Sequence, residues 1–196
     1  MTVSLASFVK APLPILPLQI LFLNLVTDIF PSLALGVGEG DPAAMKTLPR
    51  AAREPILTRG HWLAIAGYGV AITIAVFGAL ALSLIAFEME EKEAVTVSFL
   101  TLAFAQLWHV FNMRDSGSGI IRNDITTNPF LWGALGLCVG LLILAVYLPG
   151  LSRVLKVVDP GKEGWILVIG MSLIPLAVGQ ILKAMGGKRR TNRRQT

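Results

Sequence analysis

The apolar residues of this chain are gathered into five long blocks, and this arrangement restricts the possible folds more than any other feature. Each block is long enough for a helix that crosses a bilayer, which needs about 20 residues. Such runs lack the alternation of a strand and the one-sided spacing of a surface helix, so they suit lipid better than one shared core. Only 15% of the residues are charged, against about 25% in soluble domains. We therefore predict an all-α, polytopic membrane protein. The five predicted spans are 15–37, 61–87, 94–113, 130–148 and 165–182.

Lysine and arginine fall mainly on one side of these spans. Four lie in the first loop, two in the third loop and six after the last span, which makes 12 of the 17. Because cytoplasmic loops collect basic residues, we predict that the N-terminus lies outside and that the C-terminus is cytoplasmic. A basic cytoplasmic tail covers 183–196 and includes the run KRRTNRR. Such a run is typical of a topology anchor on the leaflet or of binding to anionic lipid or nucleic acid. We favour the anchor and expect no nucleic-acid partner.

One carboxylate, that of Asp28, lies deep inside a predicted span, whereas the other acidic residues lie in loops or at span ends. A charge at the bilayer centre costs roughly 2.5–3.5 kcal/mol, so it is normally hidden in a bundle and paired with a partner or an ion. Asn24, Thr27 and Asp28 stand at i, i+3 and i+4 and share one helix face. Their oxygens are ligands that hard cations such as calcium prefer, although calcium takes about six to eight oxygens. We therefore predict a partial metal site, centred on Asn24 and Asp28.

Pro31 follows Asp28 by three residues and interrupts the helix. It removes the backbone hydrogen bond to the carbonyl of Thr27, and a freed carbonyl can complete a cation site where it lines a protein cavity. The alternative is a kinked helix in which Asp28 is neutral and hydrogen-bonded to another span. Gln106, in the third predicted span, either faces Asp28 as a neutral ligand or joins two helices by a hydrogen bond. The sequence leaves both pairs of alternatives open.

Three segments resemble one protein family. The stretch PLPILPLQILFLNLVTDIFPSLALGVGEGDP (12–42), with its N-L-V-T-D core and the following P-x-x-A-L-G, resembles the sixth membrane helix of calcium-type P-type cation-transporting ATPases. LPRAAREPIL (48–57) is similar to the family's link between its sixth and seventh helices. AVTVSFLTLAFAQLWHVFNMR (94–114) is similar to its eighth helix. The resemblance implies that the five spans are helices six to ten, with the C-terminus in the cytoplasm.

The resemblance also implies roles for four polar residues. Asn24, Thr27 and Asp28 fall on the family's cation ligands in the sixth helix. Gln106 falls where sarcoplasmic-reticulum-type pumps carry a glutamate and plasma-membrane-type calcium pumps carry a glutamine. The transported cation implied in this way is calcium, and one ion per cycle is the more economical interpretation.

The family's phosphorylation motif D-K-T-G-T is absent from the sequence, as are its T-G-E and P-E-G-L motifs. Phosphoryl transfer requires a nucleotide site, magnesium ligands and a positioned nucleophile. We therefore expect that the chain by itself is not an enzyme and holds no cofactor, and that other domains of a pump would bind ATP and magnesium. Its expected partners are the lipid bilayer and the N-terminal remainder of a P-type ATPase.

Three interpretations of the chain stay open. It is a C-terminal piece of a pump gene that is inactive until joined to the rest, a subunit that assembles with a separately encoded catalytic chain, or a non-catalytic membrane scaffold or regulator. Each of them gives a multi-pass membrane protein, which we expect in a bacterial inner or plasma membrane.

Overall fold

The computed structural model describes residues 13–37, 59–112 and 127–192, with the backbone alone at residue 59 and over 182–192. Within these ranges the chain is helical and contains no strand. Five helical segments are long and apolar enough to cross a membrane, which confirms the predicted all-α fold with five spans. These segments are Pro17–Val37, Gly60–Ile85, Glu91–Asn112, Pro129–Tyr147 and Gly161–Ile181. The orientation of the two chain ends stays a prediction, and so does the basic cytoplasmic tail, since the side chains after 181 lie outside the described residues.

The first span is not one regular helix. Helix α1 (Pro17–Leu23) runs into a π-helical turn (Asn24–Ile29), which is followed by α2 (Phe30–Val37). Pro31 has no backbone N–H, so it cannot donate to the carbonyl four residues earlier as an α-helix requires. Single π-helical turns are found frequently at functional sites of helices. The predicted interruption of the first span is therefore a π-helical turn, which lies just before Pro31.

The other helices follow in order along the chain. They are α3 (Arg59–Ile85), α4 (Glu91–His109) with a 3₁₀ turn at its end (Val110–Asn112), α5 (Pro129–Tyr147), α6 (Pro149–Leu155) and α7 (Gly161–Asn192). The short helix α6 was not predicted. Asn128 explains where α5 begins, because its side-chain oxygen accepts hydrogen bonds from the backbone N–H groups of Phe130 and Leu131, and Pro129 fills the first helical position.

Helix α4 lies at the centre of the bundle. In its most apolar stretch 72% of the residues are buried, against 28% to 33% in the other four spans. It packs most extensively against α7 and α3, which also pack against each other, whereas the first span packs against α5. The chain therefore consists of a three-span group (α3, α4 and α7) and a two-span group (the first span and α5), with fewer contacts between the groups.

Candidate cation site

Thr27, in the π-helical turn, is the residue at which two of the other predicted site residues, Asp28 and Gln106, meet. Its side chain is only 5% exposed. Its Oγ1 lies 2.9 Å from the carbonyl oxygen of Leu23, 3.0 Å from Gln106 Oε1 and 3.4 Å from Asp28 Oδ1. A hydroxyl has one proton and donates to one of these acceptors at a time. The turn thus gathers more oxygen acceptors than it has protons to share among them.

Gln106 connects the two groups of helices at this turn. It extends from α4, is partly buried, and reaches the Thr27 hydroxyl rather than the Asp28 carboxylate. Rotation of its amide by half a turn exchanges oxygen and nitrogen, and the amino group would then donate to Thr27. The geometry therefore fits the predicted hydrogen bond between two helices, whereas the predicted contact of Gln106 with Asp28 is not observed.

Asn24 and Asp28 lie on the exposed side of the same turn. Both line an open groove of about 640 Å³ on the surface of the first span. The other walls of the groove are apolar: Leu18, Leu21, Phe22, Leu25, Ile29, Leu151, Val154 and Leu155. Asn24 and Asp28 share this face as their spacing predicts, whereas the Thr27 side chain turns inward to α4.

The position of Asp28 differs from the expectation that a central carboxylate is hidden in the bundle. Its side chain is exposed, and its hydrogen bond within the described residues comes from Thr27 of the same span. The reason is that α5 packs against another face of the first span, while the face with Asp28 borders an open groove whose opposite wall is formed by Leu151, Val154 and Leu155 of α6. The alternative in which Asp28 is hydrogen-bonded to another span is therefore not what the described residues show.

Two backbone carbonyls of the first span accept hydrogen bonds from α5 and its cap. The Cys138 thiol donates to the carbonyl of Val26 at 2.9 Å, and the Asn128 amide donates to the carbonyl of Ala34 at 3.0 Å. Sequence reasoning missed both donors. Asn128 carries a recognisable signal, since an asparagine before a proline is typical of a helix start. Cys138, a single thiol in an apolar block, carries no such signal.

The donor set is that of an all-oxygen site. Among the described residues no group of three or more His, Cys, Asp or Glu side chains is arranged to hold a metal ion. The candidate ligands are one carboxylate, two amides and one hydroxyl, from Asp28, Asn24, Gln106 and Thr27. Neutral oxygens with one carboxylate suit a hard cation held within a larger shell.

Comparison with known proteins defines the class of this chain. Residues 12–185 match the family "Cation transporting ATPase, C-terminus". The chain belongs to this family, which confirms the resemblance seen in its sequence.

Similar proteins are known in bacteria and in humans. The calcium-transporting ATPase of Bacillus subtilis (strain 168) is 36% identical over 181 residues, which cover 90% of this chain and 20% of that protein. Calcium-transporting ATPase 1 of Bacillus cereus is 31% identical over 204 residues, 93% of this chain and 22% of that protein. The human calcium-transporting ATPase type 2C member 2 is 27% identical over 191 residues, 92% of this chain and 19% of that protein. The chain spans about a fifth of the length of these relatives.

Proposed function

We propose that this chain forms the C-terminal membrane part of an ATP-driven calcium pump and contributes ligands to its cation pathway. The observation that carries the proposal is the acceptor-rich turn, in which oxygens of Leu23, Gln106 and Asp28 surround the Thr27 hydroxyl. Calcium binds carboxylate, amide and carbonyl oxygens of this kind. The names of the relatives, which are calcium-transporting ATPases, support calcium as the ion.

The proposed ligands fill only part of a calcium coordination shell. Calcium takes about six to eight oxygens, and Asn24, Thr27, Asp28 and Gln106 provide four side chains. The groove at Asn24 and Asp28 is open, and we propose that the N-terminal remainder of a P-type ATPase supplies the missing oxygens across it. One carboxylate in the turn favours one calcium ion per cycle.

ATP and magnesium would act in that remainder. The 196 residues contain no D-K-T-G-T motif, so we propose that the chain alone neither hydrolyses ATP nor forms an aspartyl-phosphate. In a complete pump, phosphorylation elsewhere would tilt the spans, and the ligands of the turn would meet the ion from one side and release it to the other. A change of this kind follows from differential binding of calcium to two conformations.

The central test replaces the one carboxylate of the turn. The chain is joined to the N-terminal part of the Bacillus subtilis relative, and ATP-driven calcium uptake into vesicles is measured at matched amounts of inserted protein. Asp28→Asn should abolish uptake, because the amide has nearly the same shape but lacks the compensating charge. Glu163→Gln, at an exposed carboxylate in the first turn of α7, is the matched control and should transport like the unchanged pump.

Two results would contradict the proposal. Uptake by the Asp28→Asn pump at the unchanged rate would remove the ligand role of this carboxylate. If the joined pump without any substitution inserts but takes up no calcium, the scaffold or regulatory interpretation is favoured.

We also propose that the N-terminus lies outside and that the C-terminus and the basic tail lie in the cytoplasm of a bacterial cell. The asymmetry of the loops, with 12 of the 17 basic residues on one side, supports this orientation. Reporter fusions at Gly150 should report the outside, and fusions after Thr196 the cytoplasm. Two fusions that report the same side would contradict the proposed orientation.

A further inference from the structure

We infer that α5 and its cap position the cation-ligand turn through hydrogen bonds to two backbone carbonyls on either side of Pro31. The donors are the Cys138 thiol, which meets the carbonyl of Val26, and the Asn128 amide, which meets the carbonyl of Ala34. Both act on the first span through its backbone, so they are positioning residues and not ligands. The inference rests on the proposed function for the role of the turn in binding a cation. The two hydrogen bonds, which we call the clamp, are a property of this chain.

The Val26 carbonyl needs a donor from outside its own helix. In a π-helical turn a carbonyl accepts from the N–H five residues later, and five residues after Val26 the chain has Pro31, which has no N–H. The Cys138 sulfur lies 2.9 Å from this oxygen. Both side chains are 0% exposed, so neither lipid nor water offers an alternative donor.

The Ala34 carbonyl belongs to the last described turn of α2. Asn128 Nδ2 lies 3.0 Å away and donates to it. The oxygen of the same amide accepts from the first backbone N–H groups of α5. A single buried side chain therefore joins the start of α5 to the last described turn of the first span.

The two bonds together select the conformation of the turn. Rewinding the turn to a regular α-helix would offer the Val26 carbonyl the N–H of Phe30 and move it away from the Cys138 thiol. In the observed conformation Thr27, the next residue, directs its hydroxyl to Gln106. The thiol thus favours the arrangement in which the candidate ligands meet.

A vibrational measurement on the chain itself tests the clamp. Cys138 is the only cysteine, so the S–H stretching band of the chain in lipid nanodiscs reports this thiol alone, and Cys138→Ala must remove the band. We expect a band at the lower frequency of a hydrogen-bonded thiol. Pro31→Ala restores the missing backbone N–H and should shift the band to higher frequency. A band at the unbonded frequency, or one that Pro31→Ala leaves in place, would overturn the clamp.

Calcium uptake by the joined pump tests whether the clamp positions ligands. Cys138→Ser keeps a hydrogen-bond donor in a side chain of nearly the same size, and Cys138→Ala removes the donor. The alanine variant should raise the half-saturating calcium concentration about fivefold, the factor given by one hydrogen bond of typical net strength, with an unchanged maximal rate. The serine variant should restore the affinity. Asn128→Asp keeps the helix cap but loses the donor to Ala34, and should weaken affinity in the same direction.

The outcomes separate the clamp from the proposed function. Equal behaviour of the alanine and serine variants, or a loss confined to the maximal rate, would overturn the positioning role. No uptake by the unchanged pump, together with the expected response of the S–H band to Pro31→Ala, would contradict the calcium-pump proposal and leave the clamp in place.

Discussion

Two polar regions inside the spans lie beside a proline, yet they differ in the balance of donors and acceptors. The ligand turn (residues 23–28 with Gln106) collects three oxygen acceptors around the single proton of Thr27. The amide cluster (residues 111, 112, 175 and 180) instead brings each amide NH₂ group to an oxygen. Gln180 Nε2 donates to Asn112 Oδ1 at 2.9 Å, and Asn112 Nδ2 donates to the carbonyl of Pro175 at 3.4 Å.

The difference teaches that polarity alone does not identify an ion site within a membrane. In the amide cluster the hydrogen bonds hold α4 and α7 together, and one acceptor, Gln180 Oε1, has no partner among the described residues. The ligand turn adds a carboxylate, that of Asp28, and its negative charge makes a cation the favourable addition there. The ligand turn also borders an open groove, whereas the amide cluster lies within the three-span group.

The largest expected effect is a loss of stability when the closely packed Gly179, beside the amide cluster, is replaced. A Cβ atom there would collide with the Asn112 amide and lie 2.6 Å from Tyr68 Cε1. Gly179→Ala should therefore lower the free energy of unfolding by about 1–3 kcal/mol through overpacking. Gly170→Ala, in the same helix with open space around it, is the control and should not destabilise the chain. Thermal unfolding in detergent measures both, and equal losses would contradict the packing argument.

Removal of one side-chain amide from each region should affect stability in the amide cluster and calcium affinity in the ligand turn. Gln180→Ala leaves Asn112 Oδ1 without its donor and should cost about 1–2 kcal/mol of stability, with no change in calcium affinity in the joined pump. Gln106→Ala should raise the half-saturating calcium concentration and change stability less. Thermal unfolding and calcium uptake, measured on both variants, decide the matter. If both variants show one pattern, the distinction between the two regions fails.

The smallest expected effect concerns the hydroxyl at the centre of the ligand turn. Thr27→Val keeps the shape but removes the oxygen, and should weaken calcium affinity by about threefold to fivefold, a milder change than that of Asp28→Asn. Thr27→Ser keeps the oxygen and should behave like the unchanged pump. The comparison uses the half-saturating concentration for uptake. A valine variant with unchanged affinity would remove the role of the hydroxyl, and a serine variant as weak as the valine variant would show that the methyl group is needed as well.

Sequence patterns predicted the spans and the candidate ligands because both depend on local features. The length of an apolar run defines a span, and the spacing of Asn24 and Asp28 predicts the face that they share. The prediction that Thr27 shares that face is wrong, because its side chain turns inward to Gln106. The exposure of Asp28, the contact between Cys138 and Val26 and the amide cluster depend on which helices pack together. Those contacts join residues far apart in the chain, and no local pattern specifies them. The π-helical turn lies between these cases, since Pro31 indicates an interruption but not its form.

The burial of α4 has a consequence for the order in which the protein assembles in the membrane. Its stretch has the lowest mean hydropathy of the five spans and the highest buried fraction, and it carries Thr96, Ser98 and Thr101 at fully buried positions. Thr96 and Ser98 donate to carbonyls of α4 itself, whereas Thr101 Oγ1 has no partner among the described residues. Small polar residues of this kind are typical of interfaces between membrane helices, so α4 gains stability from its neighbours. Helix α7, which covers much of it, follows the other described helices in the chain. We therefore expect α4 to complete its packing only when α7 has been inserted, and a chain that stops before residue 161 should be less stable in the membrane than the full chain.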